Sequence, residues 1–400
     1  MPTILFTIAY FIIVSRGLFE ISLTKQIGFI IQPIVWSIFL LYLLSPLNRV
    51  LKYRAKNLRL NAGILFLLII TIIISDIFTL IKTGFTMFWI YNFVTIFFAL
   101  LLVISSSFHL PKINKINFGL SIAIITIVLI TIGFIEQITG SGLPGSWQLG
   151  GFVRPASLTG SMQHYAITIA LLAFVNLELY TSKGHILYLV LAIISALASV
   201  SSFTRSGAMI IVFGVLYSVS LIFLRTKINK KHFLLGSLIL IGSITILVFF
   251  SNNPIIIRMF SALDTASAGN SLRVQRWIFG LNSWLESPII FGWWTGIITN
   301  STNRLTDTSS FVVESGVLQQ LLNFGLIGTM CFYWLLLSQL FSIDKHHLWL
   351  KSALIAGILE TFIYQSIETI PFMITITIIP FVSQSLIFQH KIDSKRFGFK

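Results

Sequence analysis

Long apolar runs separated by short polar connections dominate the chain. About 20 apolar residues suffice for a helix that crosses a bilayer. Twelve such runs lie near 3–19, 27–47, 61–81, 85–104, 118–138, 161–181, 186–200, 207–224, 234–251, 312–341, 351–369 and 372–389. Arg16 interrupts the first run, so eleven spans is the alternative count. The pattern predicts an all-α, polytopic integral membrane protein that forms a single domain over residues 1–400.

The composition excludes several classes of protein. Hydrophobic residues make up 56% of the chain and charged residues 10%, whereas a soluble domain carries about 25% charged residues. A soluble enzyme, a disordered protein and a soluble nucleic-acid binder are therefore excluded. The single cysteine, Cys331, lies in an apolar run and is interpreted as a residue of a span.

Alternate connections between the predicted spans are basic, and this alternation predicts an orientation. Eighteen of the 27 lysines and arginines fall on one side, including those of the 48–61 connection and of the tail at 390–400. The positive-inside rule assigns this side to the cytoplasm. We therefore expect both termini inside and the remaining loops outside, in a bacterial cytoplasmic membrane. The largest outer loop is 252–311.

The predicted outer face carries arginine rather than lysine. Beyond residue 100 its basic residues are all arginines, namely Arg154, Arg205, Arg258, Arg273, Arg276 and Arg304. A planar guanidinium grips phosphate or carboxylate oxygens better than an ammonium group does. The pattern favours an anionic ligand on this face. The alternative is that the arginines anchor loops or pair with acids.

Two outer segments carry candidate binding groups near the starts of predicted spans. The glycine-rich segment 138–166 contains Arg154 ahead of Pro155, which favours extended backbone, and then Gln163 and His164 at the next span. A helix start beside an arginine is able to hold an anion. The alternatives are an ordinary turn with its arginine at the lipid headgroups and a histidine that only lines the wall.

Arg205 lies in the short turn 199–209, between two spans. A charge near the membrane is costly unless it is paired or faces water. We therefore interpret Arg205 as functional. The alternative is a structural pair with Asp76 or Glu136.

The third outer segment joins the ninth and tenth predicted spans. An interfacial helix is predicted near 271–286, with Arg273 and Arg276 one turn apart and tryptophans on an apolar stripe. Arg304 follows in the same loop. Glu314 begins the next span and is interpreted either as a general base or as a partner of arginine.

The eleventh predicted span contains Glu360, Tyr364 and Glu368 at intervals of four residues, which places them on one face of a continuous helix. Acids within a membrane indicate a polar cavity. The alternative is hydrogen bonding between helices without chemistry.

Motifs for metals and nucleotides are absent from the sequence. It has no DxD, HExxH or CxxC motif and no phosphate-binding loop. We therefore predict no metal and no cofactor, and a substrate that arrives from the membrane or from outside.

An ordered set of short motifs covers residues 138–328. It comprises Arg154-Pro155, a Gly-x-x-x-x-x-Ala helix entry (160–166), Thr-Arg-Ser-Gly (204–207), Arg-x-x-x-Trp (273–277), Pro-x-x-x-Gly-Trp (288–293) and Leu-x-x-Leu-Leu-x-x-Gly-Leu-Ile-Gly (318–328). In this order and topology the chain resembles the superfamily of O-antigen ligases and polysaccharide polymerases, which are bacterial membrane glycosyltransferases. Ligases of the superfamily place a histidine where Glu314 aligns, so the resemblance favours a repeat-unit polymerase.

The resemblance implies a membrane glycosyltransferase of the class C fold. It implies transfer of glycan from a polyprenyl-diphosphate-linked oligosaccharide to a growing glycan acceptor, without metal, on the outer face. Glu314 and Arg205 are then the predicted catalytic residues. The predicted substrate-binding residues are Arg154, Arg273, Arg276, Arg304, His164, Gln163, Glu360 and Tyr364.

The expected partners are the bilayer and the chain-length regulator and flippase of the same pathway, with no nucleic acid. Two alternatives stay open. One is ligase-type glycan transfer, and the other is a lipid-linked oligosaccharide flippase or secondary transporter.

Overall fold

The computed structural model describes residues 2–17, 52–53, 55–86, 88–109, 117–149, 152–224, 268–299 and 312–396. These ranges contain eleven α-helices and two short antiparallel strand pairs. The helices are α1 (Pro2–Val14), α2 (Ala55–Thr83), α3 (Trp89–Ser107), α4 (Phe118–Thr139), α5 (Met162–Lys183), α6 (Ile186–Ser201), α7 (Arg205–Leu224), α8 (Ala268–Leu285), α9 (Gly316–Ser342), α10 (Leu348–Ile363) and α11 (Ile370–Arg396). The strands are β1 (Lys52–Tyr53) paired with β2 (Phe108–His109), and β3 (Trp147–Leu149) paired with β4 (Phe152–Arg154).

Five of these helices are long and apolar enough to cross a membrane: Asn57–Thr83, Phe118–Thr139, Met162–Lys183, Gly316–Ser342 and Ile370–Ile387. Parts of α1, α3, α6 and α7 are apolar but shorter. The predicted all-α class is confirmed, and the helices fit a protein embedded in a membrane. The count of twelve spans stays a prediction, since the runs at 27–47 and 234–251 lie outside the described residues.

The centre of the bundle is formed by α5 and α11. In their membrane-length windows 83% and 94% of the residues are buried, whereas the corresponding fraction of α2 is 28%. α5 packs against α6, α7 and α10, and its buried face includes Ile167, Ala170 and Leu171. α2 instead leaves large apolar side chains such as Phe66 exposed. Such an apolar outer surface is what lipid requires of a peripheral membrane helix.

Helix α9 is broken at Gly325. This residue has φ 64° and ψ −165°, a backbone conformation essentially restricted to glycine. The turn around 288–294 supplies partners for the interrupted backbone: Leu326 N donates to Ile289 O (2.9 Å), and Trp294 N donates to Leu322 O (3.2 Å). The apolar run 312–341 is longer than one membrane crossing needs, and it forms two helical segments. The turn around 288–294 makes backbone hydrogen bonds to both segments.

The predicted eleventh span is also interrupted, and its single helical face is wrong. α10 ends at Ile363, Tyr364 has extended backbone (φ −137°, ψ 153°), and a 3₁₀ turn follows at Ser366–Glu368. The next helix, α11, starts at Ile370, and Pro371 lies in its first turn, a position that suits proline. Glu360, Tyr364 and Glu368 therefore do not share a helix face.

Candidate functional site

Several helix ends meet at one end of the bundle, and the predicted site residues lie among them. α5, α7 and α9 begin here, whereas α6 and α10 end here. Adjacent helices run in opposite directions, and the packing of α5 against α6, α7 and α10 brings these ends together. We call this the arginine end, because it carries Arg154, Arg205, Arg273 and Arg276.

Arg154 is buried inside the protein, with 6% of its surface exposed. It ends strand β4, so the extended backbone predicted ahead of Pro155 is confirmed. Its guanidinium donates from Nε to the Ser202 carbonyl oxygen (3.3 Å) and from Nη2 to Thr204 Oγ1 (3.2 Å). The alternative that Arg154 sits at the lipid headgroups is therefore wrong. The strand pair instead holds the guanidinium against the turn between α6 and α7.

Arg205 is the first residue of α7 and directly follows Thr204, the partner of Arg154. This turn is held against α5 by close backbone packing. A Cβ on Gly207 would overlap with the Ser199 side chain and with Ala166. Ser199 Oγ donates to the Ala166 carbonyl oxygen (3.0 Å). The Thr-Arg-Ser-Gly turn and the Gly-x-x-x-x-x-Ala helix entry, 38 residues apart at Ala166 and Thr204, thus meet in space.

Glu314 forms the centre of an ion-pair cluster with helix α8. Arg273 Nε donates to Glu314 Oε2 (2.7 Å), and Arg276 Nη1 donates to Glu314 Oε1. Trp277 Nε1 donates to the Glu314 carbonyl oxygen (2.9 Å). The side chains of Arg273 and Glu314 are 22% and 23% exposed, and that of Arg276 is 35% exposed. The interpretation of Glu314 as a partner of arginine is confirmed, whereas its role as a base stays a prediction.

The segment that carries Glu314 is attached to the end of α10. Ser315 Oγ donates to the Phe362 carbonyl oxygen (2.8 Å) and caps α9, and Gly316 N donates to the Tyr364 carbonyl oxygen (3.2 Å). These bonds satisfy carbonyl groups that the early end of α10 leaves without helical partners. They also bring the ion-pair cluster beside α10, on which Glu360 lies.

Helix α8 covers the segment for which the sequence predicts an interfacial helix. Trp277 and Trp284 pack on a small apolar cluster of Ile298, Val313 and Leu322. Large apolar side chains elsewhere on α8 are exposed, namely Leu272, Ile278, Phe279, Leu281 and Leu285. α8 therefore presents its arginines to Glu314 and an uncovered apolar surface to its surroundings.

Glu360 lies at the end of α10 with no exposed surface. Within the described part of the chain, neither of its carboxylate oxygens makes a hydrogen bond. The Ser206 hydroxyl lies close to the carboxylate without the geometry of a hydrogen bond, and the charge of Arg273 acts on it. Ser206 follows Arg205, so the Glu360 carboxylate lies near the start of α7 as well as within the influence of Arg273.

Tyr364 and Gln163 meet just beyond the end of α10. The Tyr364 hydroxyl donates to Gln163 Oε1 at the start of α5, and Tyr364 N donates to the Glu360 carbonyl oxygen (3.0 Å). His164, the neighbour of Gln163, is buried with 7% exposure. Glu368 accepts a bond from Gln319 of α9. The structure thus brings Gln163 and Tyr364 together, although the helix that was predicted to align Tyr364 is broken.

The two acids that the sequence offered as structural partners of Arg205 are Glu136 and Asp76. The Glu136 carboxylate accepts from the backbone of Leu143 (2.5 Å) and Ser157 (2.6 Å). Asp76 Oδ2 accepts from Asn92 (2.7 Å). Both acids, offered from sequence as partners of Arg205, therefore hold local structure.

Arg304 lies outside the described residues.

Sequence reasoning missed Thr204, Ser202 and Ser206, which contact the predicted groups. Their position beside Arg205 in the SSFTRS segment was the available signal, because a short turn keeps all of its polar groups near its one charge.

The arginine end offers four guanidinium groups and two carboxylates, Glu314 and Glu360. Guanidinium groups bind phosphate and carboxylate oxygens as bidentate forks. A buried carboxylate is suited to receive a proton from a hydroxyl. No group of three or more His, Cys, Asp or Glu side chains placed to hold a metal ion occurs in the described ranges. The arrangement is suited to an anion with a hydroxyl beside it.

No protein-family model matches the chain, and no curated protein matches it.

Proposed function

We propose that this protein is a membrane glycosyltransferase that lengthens a bacterial polysaccharide. It takes a glycan from a polyprenyl diphosphate carrier and joins it to an acceptor sugar, as a repeat-unit polymerase for O-antigen, capsule or exopolysaccharide. It works on the outer face of the cytoplasmic membrane, with about twelve spans and both termini inside. A chain-length regulator and a flippase of the same pathway are its expected partners.

One observation carries the proposal: at one end of the bundle, two arginines of α8 bind Glu314, and a third arginine, Arg154, is fixed against the turn before α7. Arg154 and the turn before α7 lie on the 152–224 part of the chain, whereas Arg273 and Arg276 lie on α8. Glu360 is buried at the same end, near Ser206 of α7 and within the electrostatic influence of Arg273. A structural role for each arginine alone does not require this convergence.

The chemistry of the reaction fits the groups at this end. Departure of a diphosphate places negative charge on its oxygens, and preorganised arginines neutralise such charge in a site that excludes water. The diphosphate is already a good leaving group, so the acceptor hydroxyl alone needs proton transfer, for which a carboxylate is suitable. Both requirements are met by side chains of the chain itself.

The lipid character of the donor fits the outer surface of α8. A polyprenyl chain stays in the bilayer while its diphosphate lies at headgroup level. α8 has exposed apolar side chains together with the two arginines that bind Glu314. An amphipathic helix of this kind places its polar face at the boundary between lipid and water. A lipid-linked anion could reach the arginines there without leaving the membrane.

The test is reconstitution of the purified protein in vesicles with lipid-linked repeat units. A polymerase releases polyprenyl diphosphate and yields glycans of two or more repeats on the carrier. Movement of intact lipid-linked units between leaflets, without longer glycans, would instead identify a flippase. Full-length polymer left unattached to its anchor in a deletion strain would identify a ligase.

A further inference from the structure

The two carboxylates at the arginine end have opposite surroundings. Both oxygens of Glu314 accept bonds from guanidinium groups. Both oxygens of Glu360 lack hydrogen bonds among the described residues, although the side chain is fully buried. One carboxylate is therefore already bound to the groups that would hold an anionic substrate, and the other is enclosed and accepts no hydrogen bond from the part of the chain that the structure describes.

Glu314 occupies the position of a ligand. Arginine binds carboxylates and phosphates through the same fork of N–H donors. Since Arg273 and Arg276 grip opposite oxygens of Glu314, the carboxylate stands where two phosphate oxygens would stand. The pair is about a fifth to a third exposed, so an anion from outside can compete for it. A carboxylate in this position neutralises the arginines while no substrate is bound.

Glu360 is placed as expected for a residue that takes part in the reaction rather than one that stabilises the fold. Burial of a carboxylate without hydrogen bonds is strongly unfavourable, and Gln at this position would avoid most of that cost. The nearby groups are a hydroxyl, from Ser206, and the charge of Arg273. A hydroxyl donor placed between Ser206 and the carboxylate would complete the missing bonds. The acceptor sugar provides such donors.

We propose that Glu360 and Glu314 have different roles in the reaction. This assignment rests on the proposed function. Glu360 receives the acceptor hydroxyl and takes its proton. Glu314 is a positioning residue, an internal counter-ion that the donor diphosphate displaces from Arg273 and Arg276. This assignment replaces Glu314 as the base.

The step balances within the two substrates and Glu360. The acceptor oxygen forms a bond to the anomeric carbon of the donor sugar while its proton moves to the Glu360 carboxylate. The bond between the anomeric carbon and the phosphate oxygen breaks, and its electron pair leaves with polyprenyl diphosphate. The arginines hold that charge, and the Glu360 proton passes to water after the product leaves.

Arg273 connects the two events. It is bonded to Glu314 and its charge acts on Glu360. When it turns from Glu314 to a phosphate, the reacting carbon is brought to the side of the site on which Glu360 lies. The enclosure of Glu360 before this change keeps water from the carboxylate, which protects a reactive donor from hydrolysis.

The first experiment measures binding of inorganic pyrophosphate to the purified protein in detergent. Glu314→Gln removes the counter-ion but keeps the size of the side chain, so we expect pyrophosphate to bind roughly three- to tenfold more tightly. Glu286→Gln, an exposed acid near the end of α8, is the matched control and should bind like wild type. Glu360→Gln should also bind like wild type. Unchanged or weaker binding by Glu314→Gln would overturn the counter-ion role.

The second experiment measures turnover of lipid-linked repeat units by the same variants. Glu360→Gln should lower kcat by about 10²–10⁴-fold, with KM for the donor unchanged and partial rescue by Glu360→Asp. Glu314→Gln should keep kcat within about tenfold of wild type, since it removes no proton acceptor. Wild-type turnover by Glu360→Gln would overturn the proposal.

Two further results separate the possible failures. If Glu360→Gln does not fold, Ser206→Ala takes its place: it should lower kcat and leave pyrophosphate binding intact, and unchanged kcat would overturn the proposal. If wild-type protein bound no pyrophosphate and formed no glycan, the proposed function itself would fail. If both occurred but Glu314→Gln lost all turnover and Glu360→Gln lost none, the function would stand and the assignment of roles would fall.

Discussion

The two ends of the helical bundle each bury a glutamate, and the two glutamates differ in what they contact. At the end opposite to the arginines, Glu178 of α5 accepts from Trp349 N (3.0 Å) and from Ser182 (3.2 Å), and it pairs with His347 Nδ1 (2.9 Å). At the arginine end, Glu360 of α10 has none of these bonds among the described residues. Both are almost completely buried, at 2% and 0% exposure.

The difference shows that a buried glutamate with a structural role is held by several hydrogen bonds. Glu178 binds the first turn of α10, where backbone N–H groups have no helical partner. It thereby ties α5 to α10. Glu360 makes no such side-chain bond with the described residues, and an apolar or amide side chain in its place would stabilise the protein more. A protein tolerates such a residue where activity depends on it.

Removal of one arginine from the arginine end should lower activity strongly. Arg273→Ala removes a donor to Glu314 and, in our proposal, to the leaving diphosphate. Loss of one preorganised donor of this kind lowers turnover by about 10²–10³-fold. Measurement of glycan transfer in vesicles checks the prediction, with Arg59→Ala as control because Arg59 is an exposed residue of α2. Equal losses in the two variants would show that the comparison of the ends is mistaken.

A smaller effect is expected when the support of the arginine end is strained. Gly325→Ala places a side chain at φ 64°, where it would also overlap with the backbone of Ile290. The strain alone costs about 1–3 kcal/mol, and the shift of α9 would displace Glu314. We expect a lower thermal unfolding midpoint and lower turnover together. Gly63→Ala on α2, with nothing within 4 Å of the added carbon, should be neutral or stabilising, and an equal loss there would refute the argument.

The break in α9 illustrates what the sequence reveals and what it hides. Apolar periodicity and length locate α4, α5, α6 and α7 within a few residues, because each is a continuous run ended by polar residues or glycine. The breaks at Gly325 and after Ile363 lie inside continuous apolar runs, where local pattern continues although the helix does not. These breaks depend on groups distant in sequence, such as the Ile289 carbonyl oxygen and the Ser315 hydroxyl.

In the candidate site too, local sequence does not reveal the contacts between residues that are distant along the chain. Residue type singles out arginines and acids, and the spacing of Arg273 and Arg276 places them on one side of a helix. Their union with Glu314, 38 residues from Arg276, and the contact of Arg154 with Thr204 arise from tertiary packing. Local sequence carries no information on which acid is paired. Glu314 and Glu360 therefore look alike in sequence, although only one of them is bonded.

The opposite end should respond in stability rather than in activity. Glu178→Gln weakens the bonds to His347 and to the first turn of α10, which leaves buried polar groups poorly satisfied at a cost of about 1–3 kcal/mol. Glu360→Gln should leave the free energy of unfolding unchanged or higher. Thermal unfolding in detergent compares the two variants, with turnover per folded molecule measured in parallel. A more stable Glu178→Gln and a less stable Glu360→Gln would reverse our comparison.

The smallest effect concerns the bond that fixes the backbone of Glu314. Trp277→Phe removes the Nε1 donor to the Glu314 carbonyl oxygen and keeps most of the aromatic packing on the cluster below α8. One such hydrogen bond contributes about 0.5–1.5 kcal/mol, so we expect at most a modest fall in stability. If Glu314 acts as a counter-ion, looser positioning weakens its hold on Arg273 and Arg276, and pyrophosphate should bind slightly more tightly than to wild type. If Glu314 were instead the base, the same loosening would lower kcat and leave the affinity for pyrophosphate unchanged. Because the two roles move different quantities, even this conservative variant distinguishes them when turnover and binding are measured on the same preparation.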